Sequence, residues 1–226
     1  MKSQALVGEM INLTAPDGFS LAAFRVEPKE SPKGGIVVLQ EIFGLTEQMK
    51  GVVRSYAEDG FDAIFPCVFD RVAPDTVVPF SEPERGRDLA YGLPLDKVML
   101  DVAAAAACVQ GSGGASVIGF CWGGGVIVRA AAEIPLRSAV SYYGTRLPTY
   151  LDQTPKCPLL FHFGATDPNT PAEAIDAVRK AFPAAETWIY QAGHAFANEV
   201  RPAYVPDAAT LARQRTLEFL RKNHGR

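Results

Sequence analysis

The segment 117–128, VIGFCWGGGVIV, places Cys121 between glycines where a predicted strand meets a predicted helix. Gly119, Cys121 and Gly123 form the pattern G-x-C-x-G, in which a sharp strand-to-helix turn raises the central side chain above a sheet. Glycines are needed in such a turn because neighbouring backbone lies too close for a Cβ. The N-terminus of the following helix favours negative charge on the sulfur. The pattern therefore indicates a nucleophilic thiol, and the alternative is a glycine-rich turn that holds a small buried side chain.

A cysteine nucleophile needs a base, and the sequence contains three histidines. His194 lies in IYQAGHAFANE, a loop after the last predicted strand in which a glycine lets the chain bend. His162 lies inside the apolar segment LLFHFG and is expected to be a packed or hydrogen-bonded core residue. His224 lies at the end of the last predicted helix, where a cation suits the helix dipole. We therefore predict that His194 is the base.

The third group should be a carboxylate on a loop between Cys121 and His194 in chain order. Asp167 in FHFGATDPNTP meets this condition, since it follows a predicted strand and precedes a helix predicted to be capped near Thr170-Pro171. An ordinary turn residue is the alternative interpretation of Asp167. The order nucleophile, acid, histidine is that of α/β-hydrolases. Other acids in this part of the chain have less reason to point at the histidine: Asp152, Glu173 and Asp176.

The other cysteines lack a glycine frame and are predicted to be structural: Cys67, Cys108 and Cys157. The four cysteines are widely spaced, without CxxC pairs or the spacing of metal ligands, which predicts free thiols in a reducing compartment. A phosphate-binding role for the glycines is excluded because no GK[ST] follows them and no early G-x-G-x-x-G is present.

The elements that must position these residues alternate along the chain. Residues 9–28 alternate apolar and polar side chains on both sides of Asp17-Gly18, which predicts an opening β-hairpin. Predicted buried strands then alternate with segments of helical periodicity, apart from a polar, proline-rich stretch at 71–87. This alternation predicts an α/β fold with a mostly parallel, doubly wound sheet, an antiparallel N-terminal hairpin and helices on both faces.

Length and charge narrow the class of protein further. The chain has 226 residues, nearly half of them hydrophobic, and is expected to form a single domain over 1–226. The formal net charge of −3 leaves no basic face, which argues against nucleic acid as a partner. The N-terminal segment has no apolar signal-peptide region, and no run of about eighteen apolar residues occurs. We expect a cytoplasmic protein, a monomer or weak homodimer, without a membrane partner.

Several motifs resemble those of the dienelactone hydrolase (carboxymethylenebutenolidase) family within the α/β-hydrolase superfamily. They are LQEIFGL at 39–45, GFCWGG at 119–124, YYG at 142–144, HFGATD at 162–167 and GHAFAN at 193–198. QEIFG together with GFCWGG is specific to that family, since most α/β-hydrolases have serine at the nucleophile turn. The resemblance implies an α/β-hydrolase fold, hydrolysis of small lactones or carboxylic esters, and a triad of Cys121, Asp167 and His194.

The resemblance also implies roles for residues that the patterns alone would not select. Glu41, the glutamate of QEIFG, would hydrogen-bond the resting thiol and take part in its substrate-triggered ionisation. The backbone N–H groups of Ile42 and Trp122 would form the oxyanion hole. Arg71 in FDRVAP matches a family arginine that binds the carboxylate of the lactone substrate.

One departure from the family concerns the substrate. The second arginine of the family, four residues after the histidine, is Asn198 here, and a neighbouring serine is Ala195. Arg201 lies three residues further on as a candidate replacement. The departure leaves the triad intact but weakens the case for dienelactone as the substrate.

The predicted reaction is acyl transfer from a small-molecule ester or lactone through a thioacyl-enzyme, and no metal or organic cofactor is implied. One alternative is a general carboxylesterase of small esters with the same fold. Another is a thiol redox protein, although no resolving cysteine lies near Cys121 in sequence.

Overall fold

The computed structural model describes residues 6–225 of the chain. Contacts within the chain group these residues into two compact units, which divide between Ser116 and Val117. The expectation of a single domain over 1–226 stays a prediction. Within the described residues, no helix is both long enough and apolar enough to cross a membrane.

The first unit contains four strands: β1 (Glu9–Thr14), β2 (Ser20–Val26), β3 (Gly35–Leu39) and β4 (Asp62–Pro66). They lie in the order β1-β2-β4-β3. β1 pairs with β2 in antiparallel register, with Glu9 opposite Arg25, and β3 runs parallel to β4. The predicted hairpin is confirmed, and Gly18 in its turn has the positive φ of 82° that such tight turns favour.

Three helices accompany this sheet: α1 (Glu47–Glu58), α2 (Pro83–Gly92) and α3 (Leu95–Val109). Thr46 caps α1, since its hydroxyl accepts the backbone N–H of Met49 at 3.2 Å. α1 and α3 lie where helical periodicity predicts them. α2 begins inside the stretch 71–87, where the sequence predicts neither a helix nor a strand. It starts with Pro83 at its first position and buries only Gly86 and Ala90, so its sequence carries little apolar periodicity.

The second unit contains four parallel strands in the order β5-β6-β7-β8. They are β5 (Ala115–Phe120), which starts two residues before the boundary, β6 (Ala139–Tyr142), β7 (Leu159–Gly164) and β8 (Glu186–Tyr190). The helices are α4 (Trp122–Glu133), α5 (Ala172–Ala181) and α6 (Pro206–His224). All of these elements coincide with predicted strands and helices.

Side chains of β7 show that helices cover both faces of this second sheet. His162 points towards α6, where its Nε2 lies 2.9 Å from the Thr216 hydroxyl, while its Nδ1 lies 2.8 Å from the Tyr190 hydroxyl. Phe161 points to the opposite face and stacks against Phe182, just after α5. Burial lowers the pKa of His162 to about 3, so this histidine is a neutral, hydrogen-bonded core residue, as expected.

A buried arginine connects three parts of the first unit. Arg71 directs Nε and Nη2 at the carboxylate of Asp101 in α3, at 2.9 and 2.6 Å, and Nη1 at Asp17 in the hairpin turn, at 2.8 Å. Its guanidinium also lies 4.2 Å from the ring centre of Phe19. Burial raises the pKa of Asp101, and Arg71 opposes this by stabilising the carboxylate. The hairpin turn, the segment after β4 and α3 are therefore held by one cation.

Replacing this cation should destabilise the protein. Arg71→Ala leaves the Asp101 carboxylate, which has 0% exposure, without its partner. Removing one partner of such a buried pair costs about 3–5 kcal/mol of the free energy of unfolding. Urea denaturation monitored by circular dichroism would measure the loss.

Lys97→Ala is the matched control, because Lys97 also pairs with Asp17 but its side chain is 48% exposed. Exposed pairs contribute little, so this variant should lose far less stability. Equal losses for Arg71→Ala and Lys97→Ala would contradict the structural role of Arg71.

Candidate active site

Cys121 forms the turn between β5 and α4 in a backbone conformation that is unusual for a residue with a side chain. Its φ is 54° and its ψ is −113°. Its N–H donates to the carbonyl of Tyr142 at 3.0 Å, and its carbonyl accepts the N–H groups of Thr145 at 2.9 Å and Gly125 at 3.2 Å. Such a conformation costs about 1–3 kcal/mol, and these three hydrogen bonds maintain it.

Glycines around Cys121 are required by close contacts between backbone segments. A Cβ on Gly119 would lie 2.1 Å from the carbonyl oxygen of Gly123, and a Cβ on Gly125 would lie 2.0 Å from the carbonyl oxygen of Thr145. Both distances are far below van der Waals contact, and both involve backbone that cannot move aside cheaply. The first glycine of the G-x-C-x-G pattern, and Gly125 beyond the pattern, are therefore required by the packing of this turn.

The structure brings Cys121, His194 and Asp167 into one hydrogen-bonded row. His194 Nε2 lies 3.2 Å from the sulfur of Cys121, and its Nδ1 lies 2.7 Å from Oδ2 of Asp167. Asp167 follows β7 and His194 follows β8, so both lie beyond the carboxyl ends of neighbouring parallel strands. The other acids weighed from the sequence are exposed: Asp152, Glu173 and Asp176.

The Asp167 carboxylate is fully buried and almost fully hydrogen-bonded. Its Oδ1 accepts the backbone N–H of Asn169 at 2.8 Å, and its Oδ2 accepts the Thr170 hydroxyl at 3.3 Å as well as His194. Its side chain has 0% exposure, and these donors replace the water that the charge has lost. Thr170 does not cap α5, since the N-cap is Pro171.

The electrostatics of the row favour a protonated imidazole. Burial by itself lowers the pKa of His194, but hydrogen bonds to Asp167 and Cys121 and their negative charges outweigh burial and raise it to about 10. His194 is then an imidazolium at neutral pH, with Nδ1 donating to the carboxylate and Nε2 to the sulfur. Such a cation stabilises a thiolate at Cys121.

The other three thiols lie in different surroundings. Burial raises the pKa of Cys67 to about 12, that of Cys157 to about 11, and also that of Cys108. They are therefore protonated at neutral pH. All four cysteines are free, as the spacing predicts.

Two further residues beside His194 have positive φ. Tyr143 has a φ of 39° and places its ring edge-on to the imidazole, with 5.2 Å between ring centres. Ala195, directly after the histidine, has a φ of 61°. Strained backbone of this kind clusters at functional sites because the surrounding structure maintains it. No local sequence signal predicts these conformations, since neither residue is a glycine.

The residues that the family resemblance singles out lie just after β3 and at the start of α4. Glu41 follows β3 by two residues and is 4% exposed, and Ile42 comes next. Trp122 is the first residue of α4, so its backbone N–H is among those left without a partner within the helix. The roles of Glu41, Ile42 and Trp122 stay predictions.

Arg71 and Asn198, which occupy the positions of the two family arginines, both have hydrogen-bond partners within the protein. In the described residues, four of the five N–H donors of Arg71 point at Asp101 and Asp17. Asn198 is 1% exposed, and its Oδ1 accepts the backbone N–H of Val200 at 3.3 Å. These contacts give both residues structural roles, and their predicted roles in substrate binding stay predictions.

Comparisons with known proteins agree with this architecture. A model of the dienelactone hydrolase family matches residues 21–224. The chain is 32% identical to a carboxymethylenebutenolidase of Pseudomonas putida over 95% of this chain and 97% of the relative. It is 31% identical to a putative carboxymethylenebutenolidase of Escherichia coli (strain K12), over 92% and 85% of the two chains.

Solved structures extend the comparison to the fold. A putative dienelactone hydrolase from Klebsiella pneumoniae superposes with a TM-score of 0.86 at 26% identity, covering 96% of this chain and 99% of that one. A Pyrococcus furiosus esterase superposes with a TM-score of 0.71 at 17% identity over 96% and 93% of the chains, and shares the fold. The predicted α/β-hydrolase fold is confirmed.

The packing of the Cys121 turn can be tested with an added methyl group. Gly119→Ala places a Cβ against backbone and should cost about 3 kcal/mol of the free energy of unfolding, since overpacking of this kind seldom relaxes freely. Gly51→Ala, inside α1, is the control because a Cβ there meets nothing within 4 Å. It should be neutral or stabilising by up to about 1 kcal/mol. Thermal unfolding of both variants compares them, and an unchanged midpoint for Gly119→Ala would refute the packing argument.

Proposed function

The chain belongs to the dienelactone hydrolase family and is a hydrolase of carboxylic esters or lactones, and we propose that it cleaves them with Cys121 as nucleophile, His194 as acid and base, and Asp167 as orienting carboxylate. The observation that carries the proposal is the row in which His194 lies 3.2 Å from the sulfur and 2.7 Å from Asp167. A thiolate and an imidazolium in this arrangement are ready for attack on a carbonyl carbon.

In the acylation step, the Cys121 thiolate attacks the carbonyl carbon and the carbonyl electron pair moves onto oxygen. When the tetrahedral intermediate collapses, the bond to the leaving oxygen breaks and that oxygen takes the proton from Nε2 of His194. An ester releases an alcohol at this point, whereas a lactone opens and keeps its new hydroxyl attached. The enzyme is left as a thioester at Cys121 with a neutral His194.

In the deacylation step, neutral His194 removes a proton from water as the water oxygen attacks the thioester carbon. Collapse of the second intermediate breaks the carbon–sulfur bond and returns the thiolate beside the imidazolium. The product is a carboxylic acid. Asp167 fixes the imidazole so that Nε2 faces the sulfur in both steps, and stabilises the cation without itself taking a proton.

The remaining roles rest on the family resemblance. By this resemblance, the backbone N–H groups of Trp122 and Ile42 would hold the oxyanion. Removing one such donor costs about 10²–10³ in kcat. By the same resemblance, Glu41 would take part in the ionisation of the Cys121 thiol. Trp122 supports the first of these roles because its N–H lies at the N-terminus of α4, where the helix dipole favours negative charge.

The charge of the preferred substrate follows from the contacts that Arg71 and Asn198 already make within the protein. The name of the Pseudomonas putida relative denotes a lactone with a carboxyl-bearing substituent. In this chain Arg71 is paired with Asp101 and Asp17, and the position of the second family arginine is the buried, uncharged Asn198. We therefore favour small uncharged esters or lactones as substrates over anionic ones.

Loss of the thiol should abolish hydrolysis. Cys121→Ala removes the nucleophile, so turnover of a p-nitrophenyl ester should fall to the uncatalysed rate. One equivalent of iodoacetamide should inactivate the wild type and modify Cys121, as mass spectrometry of peptides would show. Cys157→Ala is the matched control and should keep full activity, because the pKa of its thiol is raised to about 11.

Full activity in Cys121→Ala would refute the proposal. A wild type that hydrolyses no ester while peroxide rapidly oxidises Cys121 would favour the redox alternative.

Substrate charge can be measured with two esters that share a leaving group. We expect kcat/KM for p-nitrophenyl butyrate to exceed that for mono-p-nitrophenyl succinate at least about tenfold, because a missing charge-assisted hydrogen bond costs roughly 1.5–3 kcal/mol. The ratio should change little between low and high salt. A preference for the succinate ester that weakens with salt would reveal a cationic anchor and contradict this assignment.

A further inference from the structure

Thr170 lies behind the orienting acid, and its hydroxyl faces two acceptors. The oxygen lies 3.3 Å from Oδ2 of Asp167 and 3.5 Å from the carbonyl oxygen of Gly144. Thr170 is 2% exposed, so water does not compete for this hydroxyl. Oδ2 is also the oxygen that accepts Nδ1 of His194. The hydroxyl therefore contacts the carboxylate at the atom that orients the imidazole.

The second acceptor belongs to a peptide group that also contacts the nucleophile. The carbonyl of the Gly144–Thr145 peptide faces Thr170, and the N–H of the same peptide donates to the carbonyl of Cys121 at 2.9 Å. Because a peptide unit is planar, the direction of its carbonyl fixes the direction of its N–H. One peptide thus joins the loop of the acid to the turn of the nucleophile.

This peptide has little freedom to rotate. A Cβ on Gly144 would lie 2.4 Å from the hydroxyl of Ser141 and 2.7 Å from backbone of Gly124. The Ser141 hydroxyl is itself held by the Gly124 carbonyl at 2.8 Å. A change at Thr170 would therefore act on Asp167 and on this peptide, and would not be absorbed by a loose loop.

We propose that Thr170 is a positioning residue that keeps Asp167 and the Cys121 turn at the spacing in which His194 contacts both. The inference rests on the proposed function, because it assigns Thr170 an effect on that reaction. Thr170 is not one of the reacting groups of the proposed mechanism. It acts through the carboxylate and through the Gly144–Thr145 peptide.

The proposal has an electrostatic consequence that bulk packing would not produce. A hydroxyl that donates to Oδ2 withdraws charge from the oxygen that faces His194. Without it, the carboxylate stabilises the imidazolium more strongly and the pKa of His194 rises. Deacylation needs neutral His194, so the acid limb of the kcat profile should move to higher pH when the hydroxyl is removed.

The experiment compares Thr170→Val, which keeps the shape and loses the hydroxyl, with Thr170→Ser, which keeps the hydroxyl. We expect Thr170→Val to lower kcat for p-nitrophenyl butyrate about five- to tenfold, with KM changed less than about twofold, and to shift the acid limb upward by about half a pH unit. Thr170→Ser should stay within about twofold of the wild type, with the wild-type pH profile.

Thr149→Val is the matched control, because among residues 6–225 the Thr149 hydroxyl bonds locally, to the Arg146 carbonyl at 2.7 Å, and Thr149 is exposed. It should leave kcat and the pH profile unchanged. If Thr170→Val does not fold, Thr170→Ala against Thr170→Ser carries the same comparison, and the Ala variant should show the loss of kcat and the shift of the acid limb.

Two outcomes would overturn the proposal. One is a hydroxyl-free variant with a lower melting temperature but a wild-type kcat and acid limb, which would make Thr170 purely structural. The other is a Thr170→Ser variant as impaired as Thr170→Val. Either result would appear in an enzyme whose activity still depends on Cys121, whereas hydrolysis that survives in Cys121→Ala would instead refute the proposed function.

Discussion

The positive φ of Cys121 is the constraint on which the site depends. A residue with a Cβ does not hold this conformation by itself, and here three backbone hydrogen bonds maintain it, from β6, from the loop after β6 and from the first turn of α4. These partners can approach only because Gly119 and Gly125 lack side chains at contacts near 2 Å. The turn that holds Cys121, the glycines and the loop after β6 therefore maintain one another's conformation.

Two histidines, one fully buried and one partly buried, show how surroundings decide chemistry. His162 faces the hydroxyls of Tyr190 and Thr216, which do not oppose the effect of burial on its pKa. That pKa falls to about 3. His194 faces a carboxylate and a thiol, whose hydrogen bonds and charge overcome burial and raise its pKa to about 10. The same side chain is a neutral part of the core in one place and a cation in the other. Burial lowers the pKa of both histidines, and the partner groups of His194 reverse the direction of the shift.

Much of the fold could be predicted from the sequence because its signals are local. The Asp17-Gly18 turn, the buried strands and the periodic helices depend on neighbouring residues, and the structure confirms them. The row of Cys121, Asp167 and His194 was also accessible, since each residue follows a strand in an order that parallel topology brings together. α2 was missed because a short helix with two buried residues carries almost no periodicity.

Other parts of the site depend on contacts between residues far apart in the chain, and no local pattern reveals them. Asp101 lies 30 residues from Arg71, and Asp17 lies 54 residues away. Thr170 looks like a helix cap in sequence, yet its hydroxyl turns back to Asp167 and to Gly144, 26 residues earlier. Positive φ at Tyr143 and Ala195 is equally hidden. Sequence motifs therefore point to the candidate reacting groups, whereas tertiary packing decides what supports them.

The position of Arg71 has a consequence for substrate recognition. A guanidinium is a rigid planar fork, and here one edge serves Asp101 while the other serves Asp17. To bind a substrate carboxylate, Arg71 would have to leave Asp101, whose charge would then be buried without a partner. That cost offsets what a new ion pair would contribute. The pairing of Arg71 with Asp101 and Asp17 is therefore consistent with the uncharged substrates that we propose.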